Sequence, residues 1–221
     1  MVQPNTRRVA TTAGILALVL VGATISPATA SDPAADERSD DSWYAWADDA
    51  ADEVEATDWE ALSAADGCEL VDLTIAEVVD PVANAAVGAP EDLAVTVVER
   101  EEICSTSSAA LRTASVRASG CSTTSGPGTL CISRSGNYVS TSFQYNGSST
   151  ISAYLRLYKI GSTSGCPTGT VLATSSTQSY SNGTRRSLSV YSPSSGAYSS
   201  HVWRHVGLGH YTDWGAACGN F

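Results

Sequence analysis

Carboxylates are nearly missing from the second half of this 221-residue chain: after Glu102 the only acidic side chain is Asp213. Glycoside hydrolysis by paired carboxylates needs two acids across a cleft, so the C-terminal half cannot supply that chemistry by itself. Phosphate-cradling and dinucleotide-binding glycine motifs are absent, and with them nucleotide chemistry of those kinds. None of the six cysteines stands in a C-x-x-C pair, the usual spacing of a zinc or dithiol redox site. No calcium loop of the D-x-[DN]-x-[DN]-G type occurs, and Asp48-Asp49-Ala50-Ala51-Asp52 reads as a solvated helix face. No apolar run after the first thirty residues approaches the length of a membrane span, about 20 residues.

The acid is instead concentrated early. Residues 31–102 hold 22 acidic residues against two basic ones, a net charge of −20, and residues 103–221 hold eight basic against one acidic, a net of +7. Two tethered regions of opposite sign attract each other, and salt weakens the attraction. The acidic unit is therefore expected to contact the chain's own basic domain.

Residues 1–30 read as a secretory signal peptide. Arg7-Arg8 form a basic start, Ala13 to Ile25 an apolar stretch, and Ala28-Thr29-Ala30 a small-residue cleavage pattern. The arginine pair also fits a twin-arginine address, but the ordinary export route suits cysteines that oxidise outside. Cys68, Cys104, Cys121, Cys131, Cys166 and Cys218 form an even set in an exported chain, which implies a disulfide framework. Cys68 and Cys104 bracket two strand-like runs and are expected to pair. Cys121–Cys131 is the expected local bridge, and Cys166–Cys218 would tie back the C-terminus.

The division expected along the chain is a disordered acidic lead-in at 31–41, an acidic α+β unit at 42–104, a Ser/Thr/Gly-rich linker at 105–128 and a basic all-β domain at 129–221. A helix is expected over about 42–64, where Trp43, Trp46, Ala50, Val54 and Ala61 share one face. Alternating runs at 71–79 and 93–97 read as a strand pair. Beyond Thr129 short runs alternate at about 129–133, 137–145, 149–160, 170–181, 184–191 and 200–208. Asn146-Gly147 and Asn182-Gly183 read as two-residue hairpin turns. The expected fold is mainly β: a disulfide-tied antiparallel β-sandwich, with a small barrel as the alternative, preceded by the acidic α+β unit.

The binding candidates lie on strand faces. Leu155 and Leu157 inward leave Tyr154, Arg156 and Tyr158 outward. Val202 and Val206 inward leave Trp203 outward with His201 and His205. Arg185-Arg186 form a basic pair beside the second Asn-Gly. Aromatic faces with interspersed cations stack rings and attract anions. Histidines four apart on a strand are roughly 13 Å apart, too far to share one zinc without a bend. His210 and Asp213 would be the acid–base pair of a serine hydrolase. The nearest match to a nucleophile elbow, Gly161-Ser162-Thr163-Ser164-Gly165, has threonine in the nucleophile position.

The sequence thus points to an exported, non-enzymatic protein that needs no cofactor or metal. Its β-sandwich would bind an extracellular polymer or cell-surface component, a glycan or a polyanion, and its acidic unit would mask the site. Nucleic acid is not an expected partner. The alternatives are a precursor whose acidic pro-region shields a cationic, toxin-like or antimicrobial domain until cleavage near Arg112 or Arg117, and the hydrolase on His210 and Asp213.

Overall fold

Glu102 of the acidic half pairs directly with Arg185 of the basic half, because the two halves share one β-sheet. The computed structural model describes residues 40–105 and 119–221. The expected signal peptide, Arg112 and Arg117 lie outside the described residues, as does the expected lead-in up to residue 39. Arg38–Phe221 forms one compact unit.

The expected helix over 42–64 is two helices, α1 (Asp40–Ala56) and α2 (Trp59–Ala65). The break has a local cause. Asp58 adopts an extended backbone and its carboxylate accepts from Ala61 N, which caps α2. Thr57 turns its hydroxyl back onto Glu53 O and closes α1. The strands β1 (Cys68–Val79) and β2 (Ala94–Cys104) then form an antiparallel hairpin. Helix α3 (Pro81–Val87) lies in their connection, capped by the Asp80 side chain with Pro81 in its first turn.

The rest of the described chain is strand: β3 (Ser119–Thr123), β4 (Gly128–Ser135), β5 (Tyr138–Tyr145), β6 (Ile151–Ile160), β7 (Thr170–Thr174), β8 (Gln178–Tyr180), β9 (Thr184–Tyr191), β10 (Ala197–Gly207) and β11 (His210–Asn220). They form two antiparallel sheets. A six-stranded sheet runs β1-β2-β9-β5-β4-β3, and a second runs β11-β10-β6-β7 with β8 also on β6. The mainly-β, sandwich-like fold expected from the sequence is the fold observed.

Three expectations are corrected. The acidic unit and the basic domain are not separate bodies, since β2 is hydrogen-bonded to β9 over Val97 to Ile103. The linker is also shorter than 105–128, because β3 begins at Ser119 and carries Cys121. Nor are the two Asn-Gly pairs hairpin turns. Asn146-Gly147 joins β5 to β6 and Asn182-Gly183 joins β8 to β9, and in each case the two strands belong to different sheets. Gly147 is needed for close approach, because a Cβ there would collide with the Tyr145 hydroxyl and with Pro127. The two-residue turns are elsewhere, at Gly136-Asn137 and Leu208-Gly209.

The core lies between the sheets. Ala153, Leu155 and Leu157 of β6 and Val202 of β10 are fully buried, as are Leu130, Ile132, Val139, Phe143 and Leu188 from the six-stranded sheet. Trp214 contacts Phe143 and Tyr145 with ring centroids 6.1 Å apart. Helices α1 and α2 cover the other face of the six-stranded sheet, where Tyr138 donates to Ala50 O at 2.9 Å and Ser63 to buried Glu102 at 2.6 Å. The bridges are Cys68–Cys104, Cys121–Cys131 and Cys166–Cys218, the three pairs expected from spacing. Among the described residues no helix is long and apolar enough to cross a membrane.

Candidate functional site

Strand alternation sets the outer face of the second sheet. With Leu155 and Leu157 in the core, Tyr154 and Arg156 emerge on the opposite side, half-exposed. Register then adds neighbours. Trp203 of β10 sits opposite Tyr154, His201 opposite Arg156 and Ser199 opposite Tyr158. On the next strand Tyr211 sits opposite His205 and Asp213 opposite Trp203.

These side chains form a continuous aromatic surface across three strands. Tyr154 and Trp203 are nearly parallel, with an interplanar angle of 15° and centroids 6.3 Å apart. Tyr211 meets Tyr154 edge-on at 4.8 Å, and His205 packs on Tyr211 at 5.1 Å. The Arg156 guanidinium lies over the Tyr154 ring at 5.1 Å and its Nε donates to the Thr174 hydroxyl at 3.0 Å. Burial raises the Tyr154 hydroxyl pKa above its ordinary value, partly offset by Arg156. It therefore stays a neutral hydrogen-bonding group across the physiological range.

Tyr158 belongs to the same strand face but is only 3% exposed. It packs with Ile160, Ala197 and the half-buried Val171 and Cys218. The loop from β6 to β7 is fastened at that end by Cys166–Cys218 and by Ser199, which donates to Pro167 O at 2.6 Å. The Tyr-Arg-Tyr row is thus divided: Tyr154 and Arg156 stand in the open part, Tyr158 in the packed part.

Arg185 and Arg186, expected as a free basic pair, are bound internally. Arg185 Nε and Nη2 donate to Glu102 at 2.6 and 3.0 Å, and Nη2 also reaches Asp66 at 2.8 Å. Arg186 pairs with Glu101 at 2.7 Å.

Sequence reasoning missed Tyr211 and the partner of Asp213. The carboxylate pairs with His201 Nδ1 at 2.7 Å, not with His210, which is exposed. The cause is a β-bulge, where Val202 faces Gly215 while Trp203 faces Asp213. It turns Trp214 into the core and leaves Asp213 beside His201. The pair resembles the base and orienting acid of a hydrolase. Yet His201 Nε2 is buried and has no hydrogen-bond partner among the described residues, so none of their serine or threonine hydroxyls is poised on it. Gly161 to Gly165 is an exposed loop and not a strand-to-helix elbow. Among the described residues no group of three or more His, Cys, Asp or Glu side chains is placed to hold a metal ion.

No protein-family model matches the chain, and neither a curated protein nor a solved structure matches it significantly.

Proposed function

We propose that this chain is an exported, non-enzymatic binding protein whose open aromatic face on β6, β10 and β11 takes up an extracellular glycan. The observation that carries the reading is the parallel Tyr154–Trp203 pair, extended by Tyr211 on the next strand. A rigid cluster of half-exposed rings packed on one another offers apolar edges and polar groups suited to a sugar ring. Arg156, fixed over Tyr154, adds donors for hydroxyl or acidic substituents. The glycan reading is favoured over a general polyanion because Arg185 and Arg186 already hold carboxylates of the same chain. Three disulfides are compatible with an extracellular location. A glycan array probed with the chain and with Trp203→Ala tests the reading: wild type is retained, and the variant loses retention while keeping its melting temperature.

Shedding of an acidic pro-region is a second reading with one observation behind it, that no disulfide joins residues 40–105 to residues 119–221. Against it stands the position of β2, inside the sheet between β1 and β9. Its removal would expose the β9 edge and strip buried Arg185 of its carboxylates.

A further inference from the structure

The β10–β11 hairpin turns on Leu208-Gly209, with Gly207 and His210 paired across it. Both turn residues have positive φ, 51° for Leu208 and 75° for Gly209. That is the backbone of a two-residue hairpin turn whose first position favours asparagine, aspartate or glycine. Leucine gains nothing there from local hydrogen bonding, and its Cβ is strained in the left-handed region. Its side chain is also 99% exposed, and Val206, two residues before, is 58% exposed. The fold therefore accepts backbone strain in order to present an apolar side chain wholly to solvent. Packing does not explain that choice.

The surroundings narrow the partner. From Ala197 to Thr212 the sequence has no acidic residue, and Arg204, His205 and His210 flank the tip. Tyr211 and His205 lie roughly 10 Å behind Leu208 along the strands, at about 3.4 Å per residue. An apolar tip, an aromatic layer about 10 Å behind it, and Arg204 with no carboxylate of the hairpin nearer the tip than Asp213, is an order of chemistries suited to an anionic phospholipid surface. We propose that the β10–β11 tip is a lipid-contact element: Leu208 and Val206 enter the headgroup–acyl boundary of an anionic bilayer, with Tyr211 and His205 at headgroup level. The contact spans nothing and is shallow and reversible. It places the rest of the aromatic face, Tyr154 and Trp203, close to a cell surface, whatever those two rings bind.

The test is co-sedimentation of residues 31–221, which include the whole compact unit, with vesicles of phosphatidylcholine alone and of phosphatidylcholine with phosphatidylglycerol. Wild type should sediment with the mixed vesicles and more weakly with the neutral ones. Leu208→Asn supplies the residue that the turn prefers, so its melting temperature should stay level or rise. Its vesicle affinity should fall roughly tenfold, as loss of one buried leucine implies. Val206→Ser should weaken binding in the same direction. The proposal is overturned if wild type ignores both vesicle types, as it would if the tip fits a pocket of another protein, or if Leu208→Asn sediments as wild type does. Glycan retention by Leu208→Asn should be unchanged, so failure here is distinguishable from failure of the glycan reading.

Discussion

Glu102 and Arg185 face each other across the β2–β9 ladder, and the carboxylate, fully buried, accepts from the guanidinium at 2.6 and 3.0 Å. Arg100, at 3.3 Å, and the Ser63 hydroxyl, at 2.6 Å, complete its contacts. The opposite charges of the two halves thus meet inside a shared sheet and not across a surface.

Removing Arg185 leaves the buried Glu102 carboxylate with only the longer Arg100 ion pair. Arg185→Met should cost about 3–5 kcal/mol of unfolding free energy, because Glu102 loses its bidentate partner. Arg185→Met combined with Glu102→Leu should cost less than the sum of the single changes, since the second removes the orphaned charge. Denaturant melts of the two single variants and the double variant give the coupling directly. Additive losses would show that the pair contributes no coupling.

Burial by itself would raise the Glu102 pKa, but hydrogen bonds from Arg185 and the charges of Arg100 and Arg185 outweigh it and hold the acid below its usual range. The folded pKa is therefore lower than the unfolded one, about 4.3. The stability gained is complete above that value and is lost as pH falls through it and then through the folded pKa. Tyr138 acts at the other limb. Burial pushes its hydroxyl up to about 12, so it opposes unfolding until pH rises past the ordinary tyrosine value of about 10 and is lost above that. Melting temperature followed against pH should show an acid limb flattened by Glu102→Gln and an alkaline limb flattened by Tyr138→Phe.

Leu155 and Tyr154 are neighbours with opposite fates, one fully buried and the other half-exposed. Leu155→Ala should cost about 2–5 kcal/mol as a core cavity. Tyr154→Ala should stay within about 1 kcal/mol, mostly from lost contacts with Trp203 and Arg156. Chemical denaturation ranks the two, and the reverse order would mean that the assigned faces are exchanged.

Because no bridge crosses residues 106–118, one proteolytic cut placed there should leave a complex held by the β2–β9 ladder and its ion pairs. Size-exclusion chromatography should show one species in buffer and two in denaturant without reductant. Separation in buffer would mean that the ladder alone does not hold the halves together.

Much of this fold was legible because its signals are local. The two leucines of β6 announce its buried face, and cysteines flanking paired strands announce their bridges. What was missed depends on distant partners. The β2–β9 pairing joins residues more than eighty positions apart, and only the charge asymmetry hinted at it. The strand β11 was hidden because Gly215, Ala216, Ala217 and Gly219 give it no hydrophobic alternation. Its bulge decides that Asp213 meets His201, and nothing between Tyr211 and Gly215 marks a bulge in the sequence. The Asn-Gly pairs misled because such a turn can join strands of two sheets as readily as two strands of one.

The central claim is that the open aromatic face binds a glycan through stacked rings, and retention of paired variants on a glycan array tests it most directly. Tyr154→Ala and Trp203→Ala should each lower affinity by about 1–3 kcal/mol, the magnitude of aromatic stacking on nucleobases, with melting little changed. Tyr158→Ala, in the packed part of the same strand face, should lower melting instead. A wild-type chain that retains no glycan, or Trp203→Ala and Tyr154→Ala variants that retain the same glycans as strongly as wild type, would contradict the account.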